Sequence, residues 1–225
     1  IQYYSSLANP SILGGCDLVS QRNRYSCFCA EPTEIFEFRN GDKKPFERLK
    51  TILNKYKLPR SIGPFFTGGW VGFFSYDLNQ HIEDIAVAAD DLNLPLIRLC
   101  FYDRVICFDH LEKCFYLFAV ELPEEKNGQQ KLRQIENYLL SAAKISVVSD
   151  VKFGANQTAD VQSNMKKEDY LRAFERIKKY IYDGDVYQIN FSQRFSADFN
   201  ACAYELFLWQ NKFNPSPYAA FIDAE

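Results

Sequence analysis

"LIRLCFYDRVICFDHLEKCFYLFAV", residues 96–120, is the stretch on which the fold turns. Apolar and aromatic residues crowd two runs on either side of His110–Lys113, a short polar group suited to a hairpin turn. Two or three strands follow, and their neighbours must be sought outward along the chain. Toward the amino terminus, "RYSCFCAEPTEIFEFRNGDKKPFERLKTILNKY" (24–56) reads as a strand, a second strand after Glu31-Pro32, a turn at Asn40-Gly41-Asp42, and a helix from about Pro45. Proline suits a first helical turn because its missing N–H is not needed there. Phe46, Leu49, Ile52, Leu53 and Tyr56 then recur on one helical face. On the other side, "GQQKLRQIENYLLSAAKI" (128–145) is a second helix, with Leu132, Ile135, Leu139 and Leu140 facing inward. Strands separated by long helices and a hairpin argue for a mixed α+β fold.

The chain has 225 residues, 47% of them hydrophobic, which is enough for one large domain or two small ones with a sizeable core. Its 26 basic and 29 acidic residues are well mixed, and no basic stripe stands out, so nucleic acid is not an expected partner. No apolar run approaches the roughly 18–20 residues of a membrane helix, and there is no charged-then-apolar leader. Neither a membrane nor a secretory route is expected. The seven cysteines are odd in number, and most sit in strand-like runs. They read as free buried thiols of a cytoplasmic protein. Cys27 and Cys29 share one face of a strand, but no CxxC pair or nearby histidine completes a zinc set, so no metal site is expected within these residues. Both ends look cut: the chain opens on Ile1 and stops just after the strand-like "YAAFIDAE".

Residues 146–164 are polar, small and aperiodic, and divide the chain into a region 1–145, a linker 146–164 and a region 165–225. The last region opens on an amphipathic helix with Tyr170, Phe174, Ile177 and Ile181 at three- and four-residue steps. Asn164 is a candidate cap, and Gly184 is the stop. "VYQINFSQRF" (186–195) follows with the alternation of a strand, Val186, Gln188, Asn190 and Ser192 on one face, Tyr187, Ile189, Phe191 and Gln193 on the other. The polar row could bind a polar small molecule or lie in solvent. A short helix, "ACAYELFLWQNKF", and the strand-like end complete the order. "TGGWVG" (67–72) lacks the spacing and lysine of a phosphate loop, and its glycines are read as close backbone packing beneath Trp70, Phe73 and Phe74. Asp77 and Glu83 face no second carboxylate, so paired acid and base chemistry is not supported.

Taken together, "YLRAFERIKKYIYDGDVYQINFSQRF" and "NPSPYAAF" resemble the start of the chorismate-binding half of anthranilate synthase and aminodeoxychorismate synthase component I. "AEP" (30–32), "PFFTGGWVGFFSYDL" (64–78) and "VICFDH" look like landmarks of that family's amino-terminal region, in the same order. The resemblance implies antiparallel sheets packed face to face with helices outside, in a chain about half the family's length. It also implies magnesium-binding glutamates and a general acid in a carboxyl-terminal half beyond these residues, and ammonia delivered by a glutamine amidotransferase. By the same resemblance Gln188 is the catalytic position. Isochorismate- and salicylate-forming relatives carry a lysine there as the base for water, whereas a neutral amide has no group titrating near neutral pH. Asn190, a substrate-binding candidate, leans toward the aminodeoxychorismate branch, where anthranilate synthases tend to have an aliphatic residue. A lysine in a Pro-Ile-Lys-Gly-Thr motif would separate the branches, but lies beyond Glu225. A tryptophan pocket would draw on Ser5, Arg24, Tyr25, Pro217, Tyr218 and Ala219, unless these only pack subdomains. The resulting expectation is the amino-terminal part of an aminodeoxychorismate synthase component I, inactive without the rest. The alternatives are an anthranilate synthase component I, or a non-catalytic module binding tryptophan or a partner.

Overall fold

A computed structural model of the chain describes residues 2–14, 24–58, 63, 65–85, 90, 92–144, 160–199 and 202–224. These fall into two compact units, residues 1–151 together with 203–225, and residues 152–202.

The first unit is built on two antiparallel sheets. Strands β1 (Ser11–Leu13), β2 (Tyr25–Cys29), β6 (Arg104–Asp109), β7 (Cys114–Ala119) and β10 (Ala220–Ile222) make one, in the order β10-β1-β2-β6-β7. Strands β3 (Glu34–Phe38), β5 (Ile97–Tyr102) and β4 (Gly69–Phe74) make the other, in the order β3-β5-β4. Between them lie Cys27, Cys29, Val105 and Cys107 from the larger sheet and Val71, Cys100 and Tyr102 from the smaller. The period of two decides which residues reach this layer, since successive side chains leave opposite faces. The alternate residues of β2 and β6, Phe28 and Ile106, pack outward with Ile12 and Tyr4, and with Ile135 of α3 (Gly128–Ala142) and Tyr204 and Phe207 of α5 (Ala203–Phe213). On the far side, Phe36, Phe38, Ile97 and Leu99 meet Leu49 and Ile52 of α2 (Pro45–Lys55), and Leu78 of a 3₁₀ turn, Tyr76–His81. The layers therefore run helix, sheet, sheet, helix, as expected for an α+β fold with outer helices.

The expected hairpin closes at residues 110–113, with Asp109 paired to Cys114. Asp103, the single residue between β5 and β6, receives Lys131 of α3 at 2.8 Å and Arg104 at 3.0 Å. That pairing explains how a buried lysine is tolerated on a helix face. α3 turns Leu132, Ile135, Tyr138 and Leu139 to the core, whereas Leu140, expected inside, is more than half exposed. At 100° per residue, the arc from Leu132 to Leu139 leaves position 140 toward solvent. Phe46 and Leu53 likewise flank the buried stripe of α2 and stay about half exposed.

Gly72 shows why the 67–72 glycines are there. A Cβ on it would stand 1.9 Å from the Arg98 carbonyl oxygen of β5, so only glycine permits that approach. Residues 203–225, grouped by composition with 165–202, pack with the first unit because β10 pairs with β1, Ser11 opposite Ile222.

In the second unit, α4 (Lys167–Asp183) ends at Gly184, which is left-handed at φ 82°. Asn164 does not cap the helix. Lys166 holds the N-cap position, and the Asn164 Oδ1 accepts the Arg194 amide instead, at 3.0 Å. The expected linker lies mostly outside the described residues; within it, β8 (Gln162–Ser163) pairs with β9 (Phe195–Ser196).

Candidate functional site

Gly184 turns the chain at the end of α4, where the Asp185 amide donates to the Tyr180 carbonyl at 3.0 Å. The return segment is held at its far end, where Gln193 Nε2 donates to Ser163 Oγ at 2.6 Å and to the Met165 carbonyl at 3.2 Å. Midway, Phe191 stacks on Tyr170 of α4 with ring centroids 5.1 Å apart. Of the expected strand 186–195 only Phe195, which opens β9, is in a ladder. Alternation marks faces, but a strand also needs a hydrogen-bonded neighbour; Arg194 exchanges bonds with Asn164 at 3.0 and 3.1 Å, while 186–193 lie outside any strand.

Between the two anchors, Gln188 Nε2 donates to Asn190 Oδ1 at 3.0 Å, and both side chains are exposed. The sequence placed both on one face of a strand; they meet here in a segment that is not a strand. The pair offers the Gln188 carbonyl as acceptor and the Asn190 amide as donor, without a charge of either sign. Such a site can orient a polar substrate or an amine, and it cannot take a proton at neutral pH.

The residues expected to form a tryptophan pocket lie in the first unit. Arg24 Nε reaches both Asp109 oxygens at 3.0 Å, and its Nη2 reaches Oδ2 at 2.8 Å. The Arg24 guanidinium, helped by the Leu111 and Glu112 amides, holds the Asp109 carboxyl down at about 2. Arg24 also lies over the Tyr25 ring, 5.1 Å from its centroid. The Ala219 carbonyl accepts the Gly14 amide at 2.8 Å, and Leu13 pairs with both Cys27 and Ala220. Ala219, Gly14 and the start of β2 therefore meet at one end of the larger sheet, with Pro217 and Tyr218 in the turn that leads to it. Ser5 ends α1 (Gln2–Ser5), whose Tyr4 packs on Phe28 and Tyr138.

Two residues here escaped the sequence reading. Gly14 has φ 85°, and a Cβ on it would lie 2.7 Å from the Tyr25 carbonyl. Ser26 Oγ is 2.6 Å from His110 Nε2, both buried, at the wall of a cavity of about 530 Å³ that is otherwise mainly aromatic and aliphatic. The serine signal was present, as a polar residue on the outward period of β2, but its partner lies 84 positions away. Among the described residues, no three of His, Cys, Asp and Glu gather to hold a metal. The carboxylates among the described residues do not gather into a magnesium cage. No helix among the described residues is long and apolar enough to cross a membrane.

Comparison with known proteins defines the class. A family model described as chorismate binding enzyme matches residues 16–225, and the chain belongs to that family. It is 34% identical over 208 residues to the anthranilate synthase component 1 of Acetivibrio thermocellus, covering 84% of this chain and 41% of the relative. It is 30% identical over 162 residues to the aminodeoxychorismate synthase component 1 of Bacillus subtilis (strain 168), covering 71% of this chain and 34% of the relative. The crystal structure of anthranilate synthase component I from Streptococcus pneumoniae TIGR4 shares the fold, with a TM-score of 0.73 at 24% identity over 89% of this chain and 48% of that one. The chain thus spans less than half the length of these relatives.

Proposed function

We propose that the full-length protein carrying this chain aminates chorismate to 4-amino-4-deoxychorismate in the cytoplasm. Ammonia comes from a glutamine amidotransferase subunit or domain, and magnesium is held by glutamates in the other half of the enzyme. The observation that carries the reading is a glutamine at position 188, hydrogen-bonded to Asn190. Gln188 has no basicity with which to activate water, so its part is to orient the incoming amine through its carbonyl and N–H groups. Asn190 holds the Gln188 amide and offers its own donors to the substrate. Its amide is also the feature that leans toward the aminodeoxychorismate branch.

A second reading, anthranilate synthesis, is favoured by the higher identity to anthranilate synthases, 34% against 30% for the Bacillus subtilis aminodeoxychorismate synthase. The test is to incubate the full-length protein with chorismate, ammonium and magnesium and separate the products. Aminodeoxychorismate without pyruvate release is expected. Anthranilate with pyruvate would establish the second reading. No aminated product would overturn both and favour a binding module. Residues 1–225 alone are expected to be inactive, and chorismate consumption by them would contradict that expectation.

A further inference from the structure

Four buried thiols, Cys27, Cys29, Cys100 and Cys107, line the layer between the two sheets. Register sets two of them apart. β2 and β6 pair with Cys27 opposite Cys107, whereas Cys29 has Ser11 opposite it on β1. The His110 amide donates to the Arg24 carbonyl at 2.8 Å. Hydrogen-bonded pairs of this ladder therefore fall at 24/110, 26/108 and 28/106. Cys27/Cys107 occupies a non-hydrogen-bonded pair, where Cα atoms stand about 4.5 Å apart and side chains are closest. That separation lies inside the range of roughly 4.4–6.8 Å that a disulfide spans. The two sulfurs are 3.6 Å apart, so side-chain rotation, without a shift of either strand, would bring them to bonding distance.

We propose that Cys27 and Cys107 are a cross-strand redox pair that a peroxide-class oxidant closes to a disulfide. The Cys27 thiol is the easier of the two to ionise, because the hydrogen bond it shares with Cys107 lowers it, while the same partnership and burial push Cys107 up. The Cys27 thiolate attacks one peroxide oxygen, the O–O bond breaks, and hydroxide leaves and is protonated to water, giving a sulfenic acid. Cys107 sulfur then attacks the Cys27 sulfur, the S–O bond breaks, and a second water leaves with the Cys107 proton. Two thiols lose two protons and two electrons, and one peroxide becomes two waters. Because both sulfurs are buried, peroxide must enter through movements of half-buried neighbours such as Tyr25, Phe65 and Phe66. Closure is therefore slower than oxidation of the exposed Cys202.

The test treats the folded full chain with hydrogen peroxide, then denatures it, alkylates the remaining thiols and maps an unreduced digest. A linked peptide pair containing Cys27 and Cys107 is expected, lost on reduction, with Cys29 and Cys100 recovered alkylated. The oxidised chain should melt higher than the reduced one, since the cross-link constrains a long loop of the unfolded state. In Cys107→Ala, Cys27 should form no cross-link and should be trapped as a sulfenic acid by a dione reagent. Should that variant not fold, the wild-type map decides. Links between other cysteines, or Cys27 and Cys107 recovered alkylated after Cys202 is fully oxidised, would overturn the proposal.

Discussion

Arg24 clamps Asp109 through three hydrogen bonds of 2.8 to 3.0 Å, and Asp109 in turn takes two amides of the hairpin turn. Its carboxyl therefore sits at about 2 when folded, against an ordinary 3.8. A lowered folded value means the stabilisation is complete above about pH 4 and disappears as pH falls through about 2. Arg24→Gln should accordingly raise the midpoint of acid unfolding, followed by far-ultraviolet circular dichroism against pH. An unmoved midpoint would show that the clamp gives no acid resistance. Gln188 invites the opposite kind of change, a gain of basicity. In the full-length enzyme Gln188→Lys should add a hydroxylated, isochorismate-type product to the aminated one, detectable by chromatography and mass. Its absence would remove the orienting role proposed for Gln188.

Elements depend on contacts as much as on pattern. β4 lies against β5 only because Gly72 has no side chain, so Gly72→Ala sets a methyl group against the Arg98 carbonyl. A loss of about 3 kcal/mol or more is expected in a urea titration, at the upper end for overpacking; a loss under about 1 kcal/mol would mean the strands can separate cheaply. Helices α2 to α5 and the 110–113 hairpin were legible beforehand, since periodicity and turn residues are local signals. Gly184 announced the end of α4 for the same reason. The strand over 186–194 was not, because a ladder is a property of two segments and alternation describes only one. Leu140 misled because the core-facing arc of a helix is set by what it packs on. At the site, alternation put Gln188 and Asn190 on one face, but their hydrogen bond forms outside any strand and had no local signal. The clamp on Arg24 was not legible, with 85 positions between the partners.

At the scale of the molecule, the first unit is assembled from both sides of the second in sequence. Deleting residues 203–225 would remove α5, with Tyr204 and Phe207 buried, and β10 with it. Burial of each large apolar side chain is worth about 1.5–3 kcal/mol, and a domain's whole stability is about 5–15 kcal/mol. Residues 1–202 should therefore show a markedly lower melting temperature, or no cooperative melt, by calorimetry. An unchanged melt would mean that β10 and α5 are dispensable to the unit. The pairing of Ser11 with Ile222 also sets a timetable for the ribosome. β1 is made about 210 residues before its outer neighbour, and at about 5–20 residues per second the wait is roughly 10–40 s. Through that interval β1 is an open edge, the kind of surface that recruits a wrong strand. A nascent chain paused before residue 220 would meet its aggregation hazard at three residues, Ser11, Ile12 and Leu13, well before any chemistry at Gln188 is possible.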